Sequence, residues 1–188
     1  MKRRTFDLLL TWVGGLLTVA LLGAGIGLYV GYNFANNQVT TQLAQQKIYF
    51  PDKAAFAHPA VGTEITPSMI PSVSQYAGQE LRTGAQAEVF ANDFIAVHLQ
   101  EIGQGKTYSQ LSAELQANPN NTALANQVET IFKGTMLRGS LLNAYEAWFF
   151  GQIAMWASYG CFVLALVMLV LTLLGLRHYR RVDDTTVI

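Results

Sequence analysis

Apolar and polar positions divide the chain into two long apolar runs with a mixed segment between them. The run over 8–32, LLLTWVGGLLTVALLGAGIGLYVGY, carries no Asp, Glu, Lys, Arg or His, and neither does the run over 147–176. A membrane-crossing helix takes about 20 apolar residues. Both runs exceed that, so the pattern predicts two transmembrane helices. A secretory signal core is shorter, about 7–15 residues, and a small-x-small cleavage site follows it. The stretch after the first run, NFANNQV, has no such pattern, and the run reads as an uncleaved anchor.

Between the runs the periodicity changes several times. Val39, Leu43 and then Gln46 or Lys47 keep helical spacing, which carries the first helix beyond its apolar run. KIYF (47–50) reads as a short extended piece stopped by Pro51. Residues 51–78 hold Pro51, Pro59, Pro67 and Pro71 with Gly62 and Gly78. Long helices are excluded there, and the stretch predicts an irregular region with one or two short strands. An irregular stretch of this length reads as an ordinary wrapping loop, with a functional or partner-bound segment as the alternative. Over 79–102, Leu81, Ala85, Val89, Phe90, Phe94, Val97 and Ile102 form one apolar stripe and predict a helix. Gly103 is placed to end it. A short helix over 107–116 is broken by NPNN (118–121). From Thr122 a single helical pattern runs without proline to about 180, roughly 87 Å at 1.5 Å per residue, with Gly134 and Gly139 as its weak points.

The predicted fold is mainly α, with two transmembrane helices and a helical extracytoplasmic domain between them. The expected segments are a cytoplasmic N-terminus (1–7), helix 1 (8–32), the outer domain (33–146, with its Pro-rich part at 51–78), helix 2 (147–176) and a cytoplasmic tail (177–188). Charge sets the orientation. Lys2, Arg3 and Arg4 precede the first run, and Arg177, Arg180 and Arg181 follow the second. Basic flanks stay cytoplasmic, which puts both termini inside the cell and makes this a multi-pass plasma-membrane protein. The 33–146 segment has six basic residues against nine acidic ones, a balance that excludes a nucleic-acid partner. The single cysteine, Cys161, lies in the second run, so no internal disulfide braces the outer domain.

Three local patterns invite chemical readings. GQGKT (103–107) looks like the end of a P-loop, but the required first glycine would fall on Gln100. A helix precedes it where a P-loop has a strand, and it faces away from cytoplasmic ATP. These residues read instead as a structural corner: Gly103 stops one helix, Gly105 turns the chain, and Thr107 with Gln110 forms a capping box. Lys106 is left as an exposed charge. His98 and Glu101 are three apart on one helical face, with His58 as a third candidate metal ligand, but no HExxH or Cys/His cluster accompanies them. No nucleophile motif is present. No metal, cofactor or nucleotide is expected, and the chain does not read as an enzyme.

Small residues give the most specific signal. Gly23, Gly27 and Gly31 form a double G-x-x-x-G in the first run, and Ala157, Cys161 and Ala165 form a small-xxx-small row in the second. Such rows let helix backbones approach closely in a membrane. The simplest partner is the other span of the same chain; a second protein is the alternative. Gln152 and Ser158 are placed to add interhelical hydrogen bonds. Arg138, just before the second run, reads either as a surface position or as the ion-pair partner of an acid on the 79–102 helix.

Several stretches resemble a known family: QLAQQKIYFP (42–51), QYAGQELRTGAQAEVFANDFIAVHL (75–99), GKTYSQLS (105–112) and FKGTMLRGSLLNAYEAWFFGQIAMWA (132–157). Together they are similar to small two-span membrane proteins widespread in actinobacteria. Some sequences related to that family carry the label aromatic ring-opening dioxygenase. The resemblance implies two spans with an outer domain and implies no activity. Ring cleavage takes an iron site, usually two His and a carboxylate, whereas only His58 and His98 fall in the outer segment and His178 lies beyond the second span. The functional expectation is an accessory or scaffold subunit in the lipid bilayer, joined to other membrane subunits or to itself. A small-ligand or metal-binding sensor domain is the alternative.

Overall fold

The computed structural model describes residues 3–57, 59 and 65–181. Helix makes up 83% of the described residues, and no β-strand occurs among them. The elements are α1 (Arg3–Gln45), α2 (Lys53–Ala57), α3 (Ile70–Val73) leading into a 3-10 turn (Ser74–Tyr76), α4 (Gly84–Val89), a π turn (Phe90–Ile95), α5 (Ala96–Ile102), α6 (Tyr108–Ala117) and α7 (Thr122–Tyr179). Two compact units result. One combines the first part of α1 with the last part of α7, and the other is Ala35–Phe149.

Both α1 and α7 are long and apolar enough to cross a membrane. A helix of this composition could instead be the core of a water-soluble protein, but it would then be buried. Only 6% of the most apolar window of α7 is buried in the structure. Leu16, Val19, Phe150, Trp156 and Leu166 all stand exposed, and apolar surface on this scale calls for a covering.

The main core of the Ala35–Phe149 unit is drawn from residues 39–95 together with Leu141 of α7. Val39 and Leu43 of α1 meet Phe50, Met69, Val73, Leu81, Ala87, Phe90 and Leu141. Phe50 packs edge-on against Phe90 at 5.2 Å and tilts against Tyr76 at 5.2 Å, arrangements that aromatic quadrupoles favour. Phe50 is brought there by two extended pieces that run antiparallel. Leu81 N–H donates to the Ile48 carbonyl at 2.9 Å, Phe50 N–H to Gln79 at 2.9 Å, and Gly78 N–H to Pro51 at 3.0 Å. A smaller core of Leu111, Val128 and Ile131 joins α6 to α7.

Three expectations are corrected here. The short strands expected within 51–78 are absent among the described residues, and α2 and α3 stand there instead. Proline suits the first turn of a helix, as Pro71 does in α3. The helix expected from residue 79 begins at Gly84. Its start is set by a capping box: Gln86 N–H donates to Thr83 Oγ1 at 3.2 Å, while Gln86 Oε1 accepts from the backbone N–H groups of Thr83 and Arg82 at 3.0 and 2.8 Å. Gln86 is buried, and its Nε2 donates to Gln79 Oε1 at 3.0 Å, so its amide is satisfied at both ends. Leu81, assigned to the helical stripe, is fully buried from the extended piece before the helix. The π turn then shifts the face by one residue, so Ile95 is buried while Phe94 is only half-buried. Finally, α7 passes through Gly134 and Gly139 without a break.

Gly84 is required by contact and not by backbone angle. A Cβ there would overlap the Trp148 side chain. Gly84→Ala is therefore expected to destabilise the protein by about 1–3 kcal/mol. Gly139, where an added Cβ meets nothing, should tolerate alanine and gain up to about 1 kcal/mol of helix propensity. Denaturant titration of the two variants in neutral detergent checks both signs.

Candidate functional site

The two apolar helices pair antiparallel. Asp7 lies 3.7 Å from His178, Gly14 faces Thr172, and Ser158 Oγ donates to the Gly25 carbonyl at 2.7 Å. Ser158 is fully buried. Close approach makes this bond reachable, because a Cβ on Gly25 would stand 2.8 Å from the Phe162 ring. Three threonine hydroxyls along the pair are satisfied within their own helices: Thr11 donates to Asp7 O, Thr18 to Gly14 O and Thr172 to Met168 O, at 2.7–2.8 Å. A helix pair in an apolar medium needs that, since no water is there to serve a free hydroxyl. Gln152, expected to contribute an interhelical bond, makes none among the described residues.

The seam is not the one expected from the small-residue rows. Gly23, Gly27 and Gly31 are exposed, and a Cβ built on any of them meets nothing within 4 Å. The glycines of α1 that contact the other helix are Gly14 and Gly25, and in α7 Gly175 stands against Thr11. The physical reason is angular. Residues two apart on a helix differ by about 200°, so with Gly25 inward, Gly23 and Gly27 point nearly the opposite way. In α7 Ala165 is buried, Cys161 is half-buried and Ala157 is exposed, so only Ala165 of that row lies fully in the seam. Sequence reasoning missed Gly14, Thr18 and Gly25; Gly-x-x-x-Thr at 14–18 was the available signal.

Within the Ala35–Phe149 unit, GQGKT forms the corner between α5 and α6. The capping box of Thr107 and Gln110 is made: Gln110 N–H donates to Thr107 Oγ1 at 3.4 Å, and Thr107 N–H to Gln110 Oε1 at 2.8 Å. Gly103 stands at the C-terminal cap of α5, the end where the sequence places it. It is right-handed, at φ −74°, and is glycine because a Cβ would crowd the carbonyls of Lys106 and Leu99. The left-handed stop is Gln104, at φ 52°, followed by Gly105 at φ 79°. Gly105 N–H donates to the Gln100 carbonyl and Gln104 N–H to Glu101, the bond pattern of a Schellman ending. Lys106 is paired, its Nζ lying 2.7 Å from Glu114.

Arg138 takes a different partner from the acid of the ion-pair reading. Its Nη2 donates to Asn92 Oδ1 at 2.8 Å. The contact does reach the 79–102 stretch, but through a neutral amide, because the π turn brings Asn92 to the α7 side. His98 Nδ1 bonds the Phe94 carbonyl at 2.8 Å; a carbonyl only accepts, so Nδ1 carries the proton. Its ring stacks edge-on against Phe94 at 4.6 Å, and Glu101 is exposed. His58 lies outside the described residues. Among the described residues no three His, Cys, Asp or Glu side chains gather as metal ligands. Glu129, on the surface of α7, has its carboxyl held below the ordinary range by its hydrogen bond to Lys133 and then by that residue's charge.

Comparison with family models, curated proteins and solved structures gives no match to this chain.

Removing the Ser158 hydroxyl should weaken the helix pair modestly, by about 0.6 kcal/mol and at most about 1.7. Gly25→Ala should do more, about 1–3 kcal/mol, because Phe162 must move. Unfolding in mixed detergent, followed by helix content, checks the order of the two effects. Equal stability of Gly25→Ala and wild type would contradict the seam.

Proposed function

We propose that the protein is an integral membrane accessory or scaffold subunit. In this reading its two apolar helices span the bilayer, both termini are cytoplasmic, and the Ala35–Phe149 unit lies outside. It associates with a second copy or with another membrane protein through the face of α1 that carries Gly23, Gly27 and Gly31. One observation carries the reading: this double G-x-x-x-G row is left bare by the chain's own helix pair. Lipid tails are as apolar as leucine, so helices in a bilayer associate by close backbone packing, and small residues permit it. A row of three glycines in one helix carries a propensity penalty of about 1 kcal/mol each against alanine. No contact among the described residues repays it, whereas an external helix would.

Orientation rests on the basic residues flanking both apolar runs. The satisfied hydroxyls along the helix pair fit a lipid surround.

Purification in mild detergent, with native mass spectrometry and identification of co-purifying chains, tests the proposal. The wild type is expected as a dimer or with a stoichiometric partner, and Gly27→Leu is expected as a folded monomer. A monodisperse wild-type monomer with nothing bound would overturn it.

A further inference from the structure

We propose that the cleft between the α5–α6 corner and α7 binds the carboxylate end of a small organic acid, with Arg138 as its anchor. The cleft measures about 560 Å³ and is lined by Leu99, Lys106, Tyr108, Ile131, Thr135 and Arg138 among others. That volume falls within the range of small-molecule sites. It lies wholly within the Ala35–Phe149 unit and does not depend on how the apolar helices associate.

Charge is the main argument. Arg138 is half-buried. Its one hydrogen bond goes to the neutral Asn92, its Nε is buried with no acceptor, and no carboxylate pairs with it among the described residues. The other cations near acids in this unit are compensated: Lys106 by Glu114, Lys133 by Glu129 and Arg82 by Glu80. A guanidinium withdrawn from water without a counter-charge is unfavourable, and a buried donor without an acceptor calls for a partner. A carboxylate in the cleft supplies the missing counter-charge to the guanidinium, whose fork matches its two oxygens.

The surroundings favour a carboxylate on an apolar body. Helix α6 starts at the cleft, and the positive end of its dipole faces an anion there. The backbone N–H groups of Lys106 and Thr107 are already bonded to Gly103 O and Gln110 Oε1, so the guanidinium is the principal donor at this end of the cleft. Leu99, Ile131 and the Tyr108 ring offer apolar surface to the rest of the molecule. The ligand site therefore differs from the His98–Glu101 pair that the sequence suggested for a sensor.

The test follows the Arg138 Nε–H resonance of the full-length protein in a maltoside detergent. Sodium hexanoate is the probe, with hexanol and inorganic phosphate as parallel arms. A saturable hexanoate shift is expected with a dissociation constant in the millimolar range or tighter, at least tenfold weaker with phosphate and absent with hexanol. Ser109→Phe, which fills the cleft while keeping Arg138, should abolish it. Arg138→Lys, followed through the Tyr108 ring signals, should weaken it about tenfold. Three results would each overturn the proposal: no saturable shift, an equal response to hexanol, or hexanoate binding unchanged in a folded Ser109→Phe protein. Phosphate binding as tightly as hexanoate would overturn it as well, since the apolar body would then contribute nothing.

Discussion

The hydrogen bond from Ser158 to the Gly25 carbonyl sets the rotational phase of the apolar helix pair. A serine side chain is short, so the bond exists only where the backbones come close, and they come close only where α1 lacks a Cβ. Once Gly25 faces inward, the rest of α1 is fixed by helical geometry. Gly14 and Thr18 fall in the seam and Gly23, Gly27 and Gly31 fall outside it. A bare glycine row is thus a consequence of the internal pairing, and the proposed association with another helix follows from it.

The Ala35–Phe149 unit depends on a comparable set of close approaches. Gly84 admits Trp148, and Gly134 admits Leu99. The extended pieces around Phe50 and Leu81 bring the first and middle parts of the unit into one core without forming a sheet. The π turn at 90–95 then decides which polar side chains face α7, which is why Arg138 meets Asn92 and not an acid. Its uncompensated charge is the strongest chemical feature of the unit.

Much of the helical layout was legible in the sequence because long apolar runs and prolines leave few alternatives. The extent of α7, the break at 118–121 and the capping box at Thr107 all follow from residue type and spacing. The start of α4 was less legible, because the competing signals of Leu81 and Thr83 differ only in where Gln86 directs its amide. The π turn left no mark in the periodicity strong enough to separate Phe94 from Ile95. The helix seam was misread because G-x-x-x-G identifies a surface fit for packing without naming the partner. Which of two small-residue faces turns inward is settled by a single serine on a distant helix.

Photo-cross-linking in native membranes from a benzophenone side chain at position 30, an exposed valine beside the glycine row that leaves the glycines themselves in place, reports directly what lies against that face. A specific protein adduct is expected, either a dimer of this chain or a fixed partner. Adducts to lipid alone would contradict it.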